Sequence, residues 1–144
     1  NQQILEREFK SIGFLLNEKF ESRDVVLSKN ISDLKSFFLK AIYPDFLCKY
    51  KNKKVAIFGT RELSRIVSRV LSLSNAKVMF FITSVEPDDL TVDGISVYSI
   101  LDESLKDTEL DYVISCIEGT HENDVCNMIK SVYLDEKVIS WRDL

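Results

Sequence analysis

At 144 residues, 45% hydrophobic and 29% charged, the chain is long enough for one ordinary core and too apolar to be disordered. No apolar run approaches the ~20 residues that span a bilayer, and a net charge of −4 argues against nucleic acid as the main partner. Three cysteines, Cys48, Cys116 and Cys126, stand at no metal-ligand spacing; with Cys116 in a strand pattern and Cys126 in a helical one, free buried thiols and a reducing, cytoplasmic setting are expected.

Two helical patterns open the chain. Leu5, Phe9, Ile12, Leu16 and Phe20 recur at spacings of three and four, and so share one helix face. Ile31, Leu34, Phe38 and Ile42 repeat the pattern, with Ser32 and Asp33 near the expected start and Pro44 as the expected stop. This N-terminal part either packs on the rest of the chain or pairs with a second copy, and its aromatic stripe (Phe9, Phe20, Phe37, Phe38) reads as core. The basic run KYKNKK at 49–54 reads as a solvated lead-in to a strand. Because the chain starts at Asn1 rather than Met, it is expected to be a piece of a longer protein.

After residue 50 the pattern changes. VAIFG at 55–59 is a continuous apolar run, as in a strand covered on both faces. Leu63, Ile66, Val67, Val70 and Leu71 then make a helix stripe, with Arg61, Arg65 and Arg69 on the opposite, solvated face. KVMFFIT at 77–83 is a second strand. Gly94 leads into ISVYS at 95–99, a third, and Ser99 with Asp102 suits a capping box for a brief helix. DYVISCI at 111–117 is a fourth strand, followed by a helix stripe of Val125, Met128, Ile129 and Val132. EKVISW at 136–141 is a fifth. Strands alternating with helices predict an α/β domain at 51–144: a doubly wound, five-stranded parallel sheet in the order 3-2-1-4-5, preceded by a helical extension or linker at 1–50.

Ligands of such sheets bind beyond the carboxyl ends of the strands, where the strand order reverses. That rule brings Gly59, Thr60 and Arg61 from one turn toward Glu118, Gly119, Thr120 and His121 from another, with Thr83 at the end of the second strand. A helix N-terminus there would offer free N–H groups to an anion. A dinucleotide asks for G-x-G-x-x-G and an acid at the end of the second strand. Here Arg61 and Ser64 replace the later glycines, the strand ends in Thr83 and Ser84, and Glu86 is only a late candidate. NAD(P) is therefore disfavoured and no cofactor is assigned. Arg61 reads as a solvated residue before a phosphate ligand, and His121, the only histidine, as a surface residue near a helix start before an acid, base or ligand. No P-loop, G-x-S-x-G elbow, H-E-x-x-H motif or phospho-receiver acid pair is present, and one histidine with scattered thiols speaks against a metal site.

VAIFGTRELSRIVSRVL, KVMFFITS, DGISVYS, LDYVISCI and KVISWRDL together resemble the Rossmann-like domains of bacterial surface-polysaccharide and nucleotide-sugar enzymes. The likeness is greatest to the N-terminal domain of sugar acetyltransferases acting on sialic acid or bacillosamine precursors. It covers about two-thirds of the chain, with Gly59 matching the family's first glycine and residues 93–98 its short glycine-then-strand element. It implies a nucleotide or nucleotide-sugar held at the first turn and the end of the second strand. The family's later small residues, its acid after the second strand and its hexapeptide β-helix are missing here. The reading is a non-catalytic binding or scaffolding module beside a neighbouring domain of a larger protein, without nucleic-acid or membrane contact. Two alternatives stay open: an NAD(P)-dependent oxidoreductase or nucleotide-sugar enzyme with an unorthodox turn, and a ligand-free interaction domain that dimerises through the N-terminal helices.

Overall fold

The computed structural model describes residues 25–117, 122–133 and 135–144. The expected helix through Leu5 and Phe20 lies outside them, as do Glu118, Gly119, Thr120 and His121. In chain order the elements are α1 (Val25–Ala41), α2 (Pro44–Tyr50), β1 (Lys54–Phe58), α3 (Glu62–Leu73), β2 (Lys77–Thr83), β3 (Thr91–Val92), β4 (Ile95–Ser99), β5 (Tyr112–Ser115), α4 (Glu122–Lys130) and β6 (Val138–Ser140). Short 3-10 turns follow β4 at Glu103–Asp107, precede β6 at Asp135–Lys137 and close the chain at Trp141–Asp143.

The sheet is mixed and six-stranded, in the order β3-β4-β2-β1-β5-β6. This corrects the expectation of a five-stranded, all-parallel sheet ordered 3-2-1-4-5: a sixth strand, β3, extends the count and the order, while the five expected strands keep their relative order beside it. The pairs β4-β2, β2-β1, β1-β5 and β5-β6 are parallel, and β3 adds to the β4 edge antiparallel. The physical reason is the turn at Asp93 and Gly94, where both residues have positive φ (51° and 78°). Two consecutive positive φ values make the tight hairpin turn that Asp-Gly favours. Val92 then pairs with Ile95 and Thr91 with Ser96.

Both faces of the sheet are covered, and strand residues alternate between them. Val55, Ile57, Phe81, Val97 and Ile114 face a core shared with α1, α2 and α3. Ala56, Phe58, Phe80, Ile82 and Val113 face a second core closed by Leu105, Leu110 and Ile129. β2 keeps this alternation only because it bulges: Val55 pairs with Val78, but the next residue, Ala56, pairs with Phe80. Met79 is the extra residue and is left exposed. Without the bulge Val78, Phe80 and Ile82 would all point to one face.

The second helical pattern also differs from expectation. α1 already includes Val25, so Ser32 and Asp33 lie within the helix rather than at its start. Pro44 is the first residue of α2, where its missing N–H costs nothing. Leu34, Phe37 and Ala41 of α1 and Phe46 and Tyr50 of α2 are all buried in the first core. Their rings continue into the C-terminal turn: Phe37 meets Phe46 at 5.9 Å and Trp141 edge-on at 6.3 Å, and Tyr50 meets Tyr112 of β5 at 5.8 Å. Arg142 fixes the same corner. It pairs with Asp33 of α1 at 2.8 Å and with Glu122 of α4, and its guanidinium lies 4.9 Å from the centre of the Trp141 ring. No helix among the described residues is long and apolar enough to cross a membrane.

Trp141 is completely buried at the meeting point of α1 and the sheet. Trp141→Ala is expected to cost about 3–5 kcal/mol, the usual range for truncating a buried large aromatic. Urea unfolding followed by far-UV circular dichroism checks this; a loss under about 1 kcal/mol would mean that the corner contributes little.

Candidate functional site

The turn after β1 is built around Gly59. Its φ of 121° is a conformation that side-chain-bearing residues rarely adopt, and its N–H donates to the Ile82 carbonyl at 2.9 Å. A Cβ at this position would overlap Ser64 Oγ and lie 3.0 Å from the Cys116 carbonyl oxygen. Ser64 is buried on α3, and its hydroxyl donates to that same carbonyl at 3.5 Å. Ser64 occupies the place of the third glycine of a dinucleotide turn, whose task is close packing of helix on strand. A serine serves here because its hydroxyl finds an acceptor across the gap and Gly59 leaves room for it.

α3 begins with Arg61 at its N-cap, in extended conformation and without a capping side-chain bond. Arg61, Arg65 and Arg69 are all exposed. Arg65 does more than meet solvent: its guanidinium grips Asp93 in a two-pronged pair, Nη2 to Oδ1 at 2.8 Å and Nε to Oδ2 at 3.1 Å. That bond holds the Asp93 carboxyl below its usual range and raises the Arg65 guanidinium. The pair is half-exposed, so it orients the β3–β4 hairpin more than it stabilises the fold. Glu62 places an acidic side chain in the first turn of α3, where it already complements the helix dipole.

A pocket of about 230 Å³ opens beyond the carboxyl ends of β1 and β2. It brings Thr60 and Thr83 together, with Arg65, Glu86, Asp88 and Asp89 around them. Gly59 and Arg61 do not line it. Gly59 acts through the shape of the turn, and Arg61 sits at the exposed helix start. Glu86, which the sequence offers only as a late candidate, is brought into the pocket by a local bend. Thr83 Oγ1 donates to the Val85 carbonyl at 2.6 Å, turning the chain back immediately after β2. The available signal was a strand-terminal threonine three residues before an acid. Chemically, the pocket offers two hydroxyls and several carboxylates, with one guanidinium already engaged. Hydroxyl-bearing ligands suit this lining, whereas a phosphate inside it would meet like charge.

Cys116 lies directly after β5, buried against the same turn. Burial, and secondarily the charge of Glu122, pushes its thiol well above the ordinary range. Burial thus favours the neutral thiol, the poorer nucleophile. Cys48 is exposed and Cys126 half-buried, so the expectation of a buried thiol holds fully for Cys116 alone of the three. The chain matches no protein-family model and no curated protein sequence.

Two outcomes are expected from this geometry. Gly59→Ala is expected to lose about 1–3 kcal/mol through backbone strain alone, and Ser64→Ala in the same chain to recover part of any further loss by clearing the overlap. A double-mutant cycle on urea midpoints measures the coupling, and strict additivity would show that the two residues do not press on one another. Because the Cys116 pKa is raised by folding, its stabilising contribution is complete below the unfolded thiol value of about 8.5 and declines as pH rises above it. Wild-type stability should thus fall as pH rises above about 8.5, and Cys116→Ala should flatten that fall.

Proposed function

We propose that the α/β portion of the chain is a non-catalytic, Rossmann-like binding module of the kind carried by bacterial polysaccharide- and sugar-modifying proteins. Its ligand is the hydroxyl-rich end of a nucleotide or nucleotide-sugar, and it serves a neighbouring domain of a larger protein. The observation that carries this reading is the pocket uniting Thr60, Thr83 and Glu86. A carboxylate facing the end of β2 is what a ribose or sugar diol needs, since it accepts two neighbouring O–H donors.

Size supports the same choice. Pockets for drug-sized ligands run to about 300–1,000 Å³, and this one holds about 230 Å³, room for a single ring rather than a dinucleotide. The charges agree: Glu86, Asp88 and Asp89 favour neutral hydroxyls within and leave phosphates on the solvent side, toward the start of α3. An NAD(P) enzyme would need a pyrophosphate against the backbone at positions where this chain has Arg61 and a buried Ser64. Those side chains make the dinucleotide reading the weaker one.

Isothermal titration against uridine, a UDP-hexose and NADH tests the proposal. Uridine or the UDP-hexose should bind, NADH should not, and Thr60→Trp should weaken binding about tenfold or more by filling the pocket. Silence from every nucleoside and sugar probe, in protein shown to be folded, would remove the ligand from the reading.

A further inference from the structure

The charge of this protein is unevenly placed. Residues 84–111 hold nine carboxylates and a single lysine, although the whole chain carries a net charge of only −4. The remainder of the chain is therefore net positive. The same stretch contains three of the most exposed large apolar side chains, Val85, Leu90 and Leu101, at 68%, 79% and 81% exposure. Single exposed leucines are ordinary on protein surfaces. These flank an incomplete sheet edge.

β3 covers only the first part of β4. Its register ends with Thr91 opposite Ser96, and one further bond runs from the Val97 N–H to the Leu90 carbonyl at 2.9 Å. Past that point no described strand lies outside Tyr98 and Ser99, although both are in register with β2 on the inner side. A groove of about 800 Å³ runs along this open edge, lined by Leu90, Tyr98, Ser99, Leu101 and Asp102 among others. Proteins usually protect such edges with lysines, prolines or a covering element. Here the groove over the edge carries Leu90, Leu101, Pro87 and carboxylates, and no lysine lines it.

We propose that the open edge of β4 docks an extended segment of a partner protein, one that alternates Lys or Arg with apolar residues and adds as a strand beside Tyr98 and Ser99. The Ser99 N–H faces the gap and is the main-chain donor such a segment meets, since the Ser99 carbonyl already accepts from the Asp102 N–H at 3.0 Å and the neighbouring Ile100 N–H is turned inward to Thr83. Its apolar side chains then meet Leu90 and Leu101, and its basic ones meet Glu86 and Asp102, all of which line the same groove. Charge selects the partner: the segment must be basic, because the surface around the groove is acidic. A second copy of this chain meeting edge to edge would set the same carboxylates against each other.

Three labelled octapeptides test this on the whole chain: one alternating lysine with isoleucine or valine, one with glutamate for lysine, and one retaining every lysine but with proline at alternate apolar positions. Fluorescence anisotropy gives affinity, and amide NMR locates the contact. The alternating lysine peptide should bind, shift the amides of residues 97–101 and slow exchange at Ser99. The proline and glutamate peptides should each bind at least about tenfold more weakly. Leu90→Ser with Leu101→Ser, both solvent-facing changes that circular dichroism can show to be folded, should weaken the lysine peptide by a similar factor. Any of four results would overturn the proposal: no binding of the lysine peptide, equal binding of the proline peptide, unchanged binding by the double variant, or a dimer in sedimentation that the double variant abolishes. Neither leucine lines the Thr60–Thr83 pocket, so failure here is separable from failure of the nucleotide-sugar reading.

Discussion

The carboxyl end of the sheet depends on how closely α3 approaches it at Gly59. The helix presents Leu63, Val67, Val70 and Leu71 to the core, but the residues interleaved with them on its buried side, Ser64 and Ser68, are small. Small side chains let the helix axis come in until Ser64 Oγ reaches the backbone of the neighbouring strand. That is tolerable only if the residue in between has no Cβ, and Gly59 is that residue. The same contact fixes the path of Thr60, and with it one wall of the pocket. It also places a hydroxyl where a nucleotide-binding turn would keep bare backbone. The feature that makes the fold possible at this point thus also narrows what the turn can hold.

The opposite end of the chain answers a different problem. A β6 of only three residues, at the edge of the sheet, gives little backbone pairing to anchor the C-terminus. Anchoring comes instead from Trp141, buried against Phe37, and from Arg142, bonded to both Asp33 and Glu122. Asp33 lies in α1 and Glu122 opens α4, so one guanidinium links helices from opposite faces of the sheet through its edge. Lys40 adds a bond from its Nζ to the Arg142 carbonyl at 3.3 Å. The ion pairs are half-buried, where desolvation cancels much of the Coulomb gain. Their larger effect is to fix the orientation of α1, while the aromatic contacts supply the stabilisation.

How much of the fold is legible in the sequence depends on how many residues each feature uses. β1, β2 and β5 are covered on both faces and so appear as apolar runs that no other element explains equally well. The stripe of α3 is similarly plain. α2 escaped because seven residues are too few for a period, and because Pro44 is as good a stop for one helix as a start for the next. β3 escaped because it has two residues, and only the Asp93–Gly94 turn between Val92 and Ile95 announces it. The bulge at Met79 is invisible to pattern alone, since it is defined by the partner strand. At the site, Gly59, Thr60 and Thr83 were legible because topology dictates that strand ends meet there. Glu86 was legible only as a late candidate, because its place depends on a side-chain bond formed just before it in the chain. The shift in sequence character near residue 50 records a change from helical to alternating pattern. Which residues share a core is a separate matter: Leu34, Phe37 and Tyr50 lie in one cluster with Val55 and Ile57.

The acidic stretch joins the two proposed binding features. Glu86 and Pro87 line both the small pocket and the groove along β4, so the turn at 84–90 is a wall common to the two. Its side chains are mostly exposed and make few fixed contacts, the bond from Thr83 to Val85 being the main restraint at its root. An occupant that reorders this turn from one side changes the wall seen from the other, and linkage makes the effect reciprocal. The sign comes from charge. A basic segment in the groove neutralises Glu86 and its neighbours, which lowers the repulsion that a phosphate at the pocket mouth would feel. If both proposed ligands bind, they would then favour one another.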